Sequence, residues 1–188
     1  MPNPKHAFDV VMHIDGGARG NPGPAACAVV VATADGAPPH SFSQYLGETT
    51  NNVAEYRALL AALEYALEHH HLRLKILSDS ELLVRQTEGR YKVKSADLKP
   101  LHEQARRLVG RLEAFSIEHV RREANREADR LVNQALDAAE GRHAPAGRDE
   151  RDKVLRATAT YQRGVLRLTR QLPLDDGEDV EIEVRRKR

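Results

Sequence analysis

The 188-residue sequence holds one cysteine, no tryptophan, three phenylalanines and two methionines. It has no apolar run approaching the ~20 residues that a membrane-spanning helix needs. The single Cys27 has no intramolecular partner, which excludes a disulfide framework. Its place inside the apolar run Ala25 to Val31 marks it as a buried strand thiol with no assigned function. Met1-Pro2-Asn3-Pro4-Lys5-His6 is not followed by a signal-type apolar segment, and a cytoplasmic location is expected. A dinucleotide-binding loop is also missing. Gly16 to Pro24 does not give the spacing G-x-G-x-x-G, and Pro22 and Pro24 lead into a strand rather than a helix. No long internal repeat is visible.

Charge is present in quantity and unevenly spread. The net charge of +1 conceals five Lys/Arg against nine Asp/Glu over residues 1–84, twelve against eight over 85–130, and twelve against eleven over 131–188. An acidic first part beside a basic middle suits an enzyme that cleaves phosphates, because carboxylates hold metal ions while Lys and Arg meet the ligand's backbone. A surface charge fluctuation would look similar, so the partition by itself is weak.

The order of elements follows from periodicity. Three strands are expected at His6 to Ile14, Ala25 to Thr33 and His40 to Gly47, joined by Gly- and Pro-rich links that suit hairpin turns and exclude helix. Val53, Tyr56, Leu59, Leu60, Leu63 and Leu67 recur at spacings of three and four, which predicts a helix ending near His69-His70-His71. Adjacent histidines at a helix end point in different directions, so that run reads as a solvated terminus rather than a metal site. Arg73 to Leu77 reads as a strand, Ser80 to Thr87 as a helix, and Pro100 to Gly110 as another, with proline in a first turn and glycine at the stop. Ala114 to Arg121 is a last strand. A final helix starts from Asn125, a favoured N-cap, and runs to about Ala139. The result is β-β-β-α-β-α-α-β-α, an α/β domain over residues 1–140 with a mixed five-stranded sheet flanked by helices.

Residues 141–151 lack periodicity and are expected to be a linker. Residues 152–188 are expected to form a small β extension. Leu166 and Leu168 alternate with Arg167 and Thr169, and Val180, Ile182 and Val184 alternate with Glu181 and Glu183, giving two strands around Pro173 to Gly177. A strand pair alone is marginally stable in water, so this extension is expected to dock either on the main domain or on another chain, the latter giving a homodimer. Tyr161 to Leu166 and Leu172 to Glu178 resemble a small β-domain of antitoxin-like proteins.

Within this frame four acidic residues occupy chain junctions. Asp15 follows the apolar run Val10 to Ile14, Glu55 lies in the first turns of the long helix, Asp79 follows Leu74 to Ser78, and Asp129 stands in the opening turn of the last helix. Carboxylates placed at junctions are placed for chemistry more than for packing. Gathered in one cleft they would hold hard divalent cations, which prefer oxygen ligands to Cys or His.

The motifs Ile14-Asp15-Gly16-Gly17 with Gly20-Asn21-Pro22-Gly23-Pro24, Thr50-Asn51-Asn52 with Ala54-Glu55, Ser78-Asp79-Ser80, and Asn125 with Ala128-Asp129 resemble the ribonuclease H type 1 family over residues 6 to about 139. The resemblance implies a ribonuclease H-like sheet and endonucleolytic hydrolysis of the RNA strand of an RNA/DNA hybrid. It also implies two Mg2+ or Mn2+ ions held by Asp15, Glu55, Asp79 and Asp129. Two such ions can activate water and stabilise the leaving oxygen of an in-line displacement at phosphorus. Clustered carboxylates repel one another without metal, so raised pKa values are expected.

The resemblance further implies that Gly16, Asn21, Asn51 and Asn52 meet the substrate, where an amide suits the 2'-OH that distinguishes RNA from DNA. Turn and cap duties are their alternative. Lys92 and Lys94 are expected to contact phosphate. Three departures from the family pattern stand out. The loop before Asp129 is Arg121-Arg122-Glu123-Ala124 where many bacterial members carry a histidine, as in the shorter archaeal-type branch. Glu81 replaces a common glutamine. The basic protrusion of longer relatives is reduced to Arg90, Lys92 and Lys94. A non-catalytic nucleic-acid-binding or assembly protein on the same fold is the alternative function, against which the complete acidic quartet speaks.

Overall fold

A computed structural model describes residues 8–33, 40–141, 159–162 and 165–168. The chain divides into two compact units, Met1–Ala144 and Pro145–Arg188. The first unit contains strands β1 (Val10–Ala18), β2 (Gly23–Thr33) and β3 (His40–Thr49), helix α1 (Asn51–Glu68) and strand β4 (Arg73–Ser78). Helices α2 (Glu81–Thr87) and α3 (Leu98–Val109), strand β5 (Ala114–His119), a 3-10 turn at Arg122–Ala124 and helix α4 (Arg126–Ala139) complete it. The sheet order is β3-β2-β1-β4-β5. β1, β2 and β3 pair antiparallel, whereas β4 lies parallel to β1 and to β5. The expected mixed five-stranded sheet is the one observed.

Alternation along β2 explains why both faces of this sheet are covered. Cys27, Val29 and Val31 point to one face and pack with Val10, Met12 and Ile14 against Tyr56, Leu59 and Leu63 of α1. Ala26 and Ala28 point to the other, where Val132 and Leu136 of α4 rest on them. Neighbouring residues of a strand face opposite sides. Large side chains on the α1 side build the main core, and alanines on the α4 side admit a second helix at close range. Cys27 is 2% exposed, the buried strand thiol expected.

Helix ends largely follow the residues that favour them. Thr50 caps α1 by accepting from the Val53 amide, and Ser80 caps α2 by accepting from the Leu83 amide. Pro100 occupies the first turn of α3 and Gly110 its C-cap. Asn125 precedes α4, but its side chain makes no capping bond.

One boundary differs in a way that bears on function. β1 continues four residues beyond Ile14, with Asp15 opposite Ala28, Gly16 opposite Cys27 and Ala18 opposite Ala25. The turn is therefore confined to residues 19–22, and Asp15 stands inside a strand rather than at its end. Gly16 and Gly17 read as turn formers in isolation. Here they stay extended, because helices press on both faces of the strand where they lie. A β-carbon on Gly16 would overlap the backbone of Ala54 and Glu55, and one on Gly17 would lie 2.9 Å from Val132 Cγ1.

In the second unit β6 (Ala159–Gln162) pairs antiparallel with β7 (Val165–Leu168). Leu166 and Leu168 thus lie in a strand as expected, but its described partner is β6. The segment Val180 to Val184 lies outside the described residues, as does most of the expected linker.

Candidate active site

The sheet brings the acidic residues together through register. Ile14 of β1 is paired in parallel with Ser78 of β4, so Asp15 and Asp79, each one residue further on, emerge side by side. Gly16 then allows the first turns of α1 to lie on β1, which places Glu55 over the same spot. One carboxylate oxygen from each of Asp15, Glu55 and Asp79 lies within 4.8 Å of the others. Asp129, in the first turn of α4, lines the same open cleft of about 320 Å³. All four predicted acidic residues therefore face one cleft, with three tightly grouped and Asp129 to the side.

Burial sets the electrostatics of this group. Asp15 is 7% exposed and Glu55 6%. Removal from water pushes the Asp15 carboxyl up to about 7, reinforced by the charges of Asp79 and Asp129 and opposed by the Gly16 amide and Arg122. Glu55 is raised well above its ordinary range, again chiefly by burial, then by Asp15 and Asp79. Raised values were expected from mutual repulsion; desolvation is the larger cause.

Glu55 Oε2 is buried without a hydrogen-bond partner. Leaving a buried polar atom unpaired costs about 1–3 kcal/mol, more when it is charged. A divalent cation among the three carboxylates would satisfy that oxygen and relieve the repulsion, so the donor set fits a hard cation. The amide of Asn125 fixes part of this arrangement. The residue is 1% exposed. Its Nδ2 donates to Ile14 O at 2.9 Å and to Asp79 Oδ1 at 3.1 Å, and its Oδ1 lies 3.2 Å from His13 Nδ1. The sequence marked Asn125 as a helix cap, and its ties across 111 and 46 residues have no local signal.

Asp129 is gripped separately. Arg122 Nη2 contacts its Oδ1 at 2.7 Å, while Asn133 Nδ2 donates to its main-chain oxygen at 2.9 Å and approaches Oδ2 at 3.4 Å. Arg122 belongs to the loop noted for its missing histidine, and both it and Asn133 line the cleft. His119 closes β5, with Nε2 3.2 Å from the Asp79 carbonyl, so it touches the site's backbone and not its carboxylates.

The expected substrate residues divide. Gly16 and Asn51 line the cleft. Asn51 Oδ1 accepts from the Ala18 amide and its own amide donates to Asn21 Oδ1, each at 3.3 Å, which joins the β1–β2 turn to the start of α1. Asn52 is exposed beside it, and Lys92 and Lys94 are exposed between α2 and α3, outside the cleft lining. Arg19 was not singled out by sequence. Its guanidinium reaches Asp137 at 2.5 Å and Glu140 at 2.6 Å, fastening the same turn to α4.

Comparison with known proteins agrees with this arrangement. The reverse transcriptase-like family matches residues 13–135. A bifunctional protein of Mycobacterium tuberculosis is 47% identical over 131 residues, covering 69% of this chain and 36% of that protein. The chain thus spans about a third of the length of such mycobacterial relatives. Ribonuclease HI of Halobacterium salinarum is 39% identical over 136 residues, covering 72% of this chain and 68% of that protein. The crystal structure of RNase H1 from the same archaeon superposes with a TM-score of 0.66 at 40% identity, covering 69% of this chain and 98% of the other. LC11-RNase H1, solved in complex with an RNA/DNA hybrid, gives 0.65 at 42% identity, covering 70% and 99%. The sheet, the acidic cleft and the family match at residues 13–135 lie in the first unit, and with the relationship to ribonuclease HI they show that the chain belongs to the ribonuclease H family, type 1.

Proposed function

We propose that the protein is an endoribonuclease that hydrolyses the RNA strand of RNA/DNA hybrids with divalent cations held by Asp15, Glu55, Asp79 and Asp129. The observation that carries this reading is the grouping of one carboxylate oxygen from each of Asp15, Glu55 and Asp79 within 4.8 Å, together with the buried, unpartnered Oε2 of Glu55. The hybrid bound by the 42%-identical LC11 enzyme supports the substrate class. Mg2+ or Mn2+ is the proposed cofactor, two ions in the substrate complex. Bound there, such ions supply Lewis-acid stabilisation of the phosphoryl oxygens and a water of lowered pKa.

The chain's own residues do the rest. Asp15, Glu55 and Asp79 present their carboxyl oxygens from a sheet and a helix that fix their positions, so little reorganisation accompanies ion binding. Asn125 keeps the Asp79 carboxylate oriented. Gly16 and Asn51 line the cleft and Asn21 is hydrogen-bonded to Asn51; the main-chain and amide groups of these residues and of Asn52 are proposed to meet the ribose 2'-OH and backbone of the RNA strand. Lys92 and Lys94 are proposed to receive phosphates of the hybrid beyond the cleft.

Residues 1–140 are proposed as the catalytic domain, 141–151 as the linker and 152–188 as an extension that pairs two chains in a homodimer. The cytoplasm is the proposed location. No helix among the described residues is long and apolar enough to cross a membrane.

Labelled RNA/DNA hybrid, double-stranded RNA and double-stranded DNA, each incubated with Mg2+, Mn2+ or EDTA, test the activity. Metal-dependent cutting of the hybrid's RNA strand is expected, abolished by Asp79→Asn. Undiminished cutting by that variant, or none by the unsubstituted protein, overturns the assignment.

A further inference from the structure

Three of the four acidic residues form a compact group, and the fourth is held apart. Both oxygens of the Asp129 carboxylate have cationic or amide neighbours, Arg122 Nη2 at 2.7 Å on Oδ1 and Asn133 Nδ2 at 3.4 Å on Oδ2. The partners come from opposite sides in sequence. Arg122 begins the 3-10 turn before α4, and Asn133 lies one helical turn after Asp129. The pair with Arg122 is also open to water, with side chains 76% and 32% exposed. An exposed ion pair of this kind is worth at most about 1 kcal/mol, so it is readily exchanged. Arg122 and Asn133 line the same cleft as Asp129 and the acidic trio.

We propose that Arg122 and Asn133 form a releasable clasp on Asp129, which a divalent cation must displace before that carboxylate can join Asp15, Glu55 and Asp79. The inference rests on the metal-binding part of the function proposed above. It assigns Arg122 and Asn133 as positioning residues acting through Asp129. It also gives the guanidinium a second destination. An arginine released from a carboxylate presents its donor fork to the next anion in the cleft, and a phosphate oxygen accepts that geometry. In the free protein Arg122 neutralises Asp129, and in the loaded protein the cation does so.

Calorimetric titration of the full chain with Mn2+, without nucleic acid, tests the clasp. Arg122→Ala is expected to tighten cation binding about two- to fivefold, the change equivalent to loss of one exposed ion pair. Arg122→Lys keeps the charge but loses the fork, and is expected to tighten binding by a smaller factor. Asn133→Ala is expected to tighten it less than Arg122→Ala.

The decisive comparison is made in an Asp129→Asn background. A clasp predicts that Arg122→Ala then changes cation affinity by less than 1.5-fold, whereas a general effect of removing a positive charge would persist. Thermal melts of each variant in EDTA confirm folding. If Arg122→Ala binds Mn2+ no more tightly, or tightens it equally without the Asp129 carboxylate, the clasp is wrong while the metal site stands. If the unsubstituted protein binds no divalent cation, the metal reading falls and the clasp falls with it.

Discussion

At the scale of single residues, Asp15 and Glu55 make the molecule's stability depend on pH and metal together. A carboxyl whose folded pKa is raised to about 7 contributes stability below its unfolded value of 3.8, and loses that contribution as pH rises through 7. The shift of about three units corresponds to about 4 kcal/mol at most from Asp15, and Glu55 acts in the same direction. Metal-free protein is therefore expected to melt at a lower temperature at pH 8 than at pH 5, with Mg2+ removing most of the difference. Melting curves in EDTA and in Mg2+ at both pH values check this. A metal-free protein equally stable at pH 8 and pH 5 would contradict it.

Asn125 offers a second test at this scale. Its amide joins Asp79, the Ile14 carbonyl and His13 in a buried position. Asn125→Ala leaves these groups without their partner and is expected to cost about 1–3 kcal/mol in urea unfolding. It is also expected to weaken Mn2+ binding, because Asp79 loses its orientation. A variant with native cation affinity would reduce Asn125 to a packing role.

The elements decide how far these side chains can approach. Glu55 reaches Asp15 only because α1 lies directly on β1 at Gly16, with no room for a β-carbon. Gly16→Ala would have to push the backbone of Ala54 and Glu55 away, and is expected to cost roughly 3 kcal/mol or more, together with most cation affinity. Gly17→Ala meets only the end of the Val132 side chain, and about 1–2 kcal/mol is expected where a side chain can yield. Chemical denaturation of the two variants measures the contrast. Equal losses would mean that the α1 contact is softer than its geometry indicates.

Arg19 acts at the same level. By joining the β1–β2 turn to Asp137 and Glu140 of α4, it holds the rim that carries Asn21. Arg19→Ala is expected to raise the hybrid concentration needed for half-maximal cleavage several-fold while leaving Mn2+ affinity within about twofold, since no acidic ligand touches this residue. Cleavage kinetics and calorimetry separate the two effects.

At the scale of the whole molecule, the first unit holds the five-stranded sheet and both hydrophobic clusters found among the described residues. Residues 1–144 alone are expected to fold, bind Mn2+ and cleave hybrid, as the match to 98% of the archaeal chain supports. Light scattering of that fragment against the full chain tests the proposed dimer. A monomeric full chain would remove it, and an inactive but folded fragment would assign the extension a part in catalysis.

Much of this was readable in the sequence because the signals were local. Apolar alternation and three-four spacing marked the elements of the sheet and helices, Thr50 and Ser80 marked helix starts, and carboxylates beside apolar runs marked the cleft. The sequence alone determined the order of elements, the four acidic residues and the family they resemble. Tertiary structure decided what depends on distant partners. It set the extension of β1 through Gly16 and Gly17, which needs helices on both faces, and the bonds of Asn125 across the sheet. It also held Asp129 apart, and it made burial rather than repulsion the main reason that Asp15 and Glu55 resist ionisation. Periodicity reports which face a residue takes, while burial and hydrogen bonding depend on elements that only the folded chain brings together.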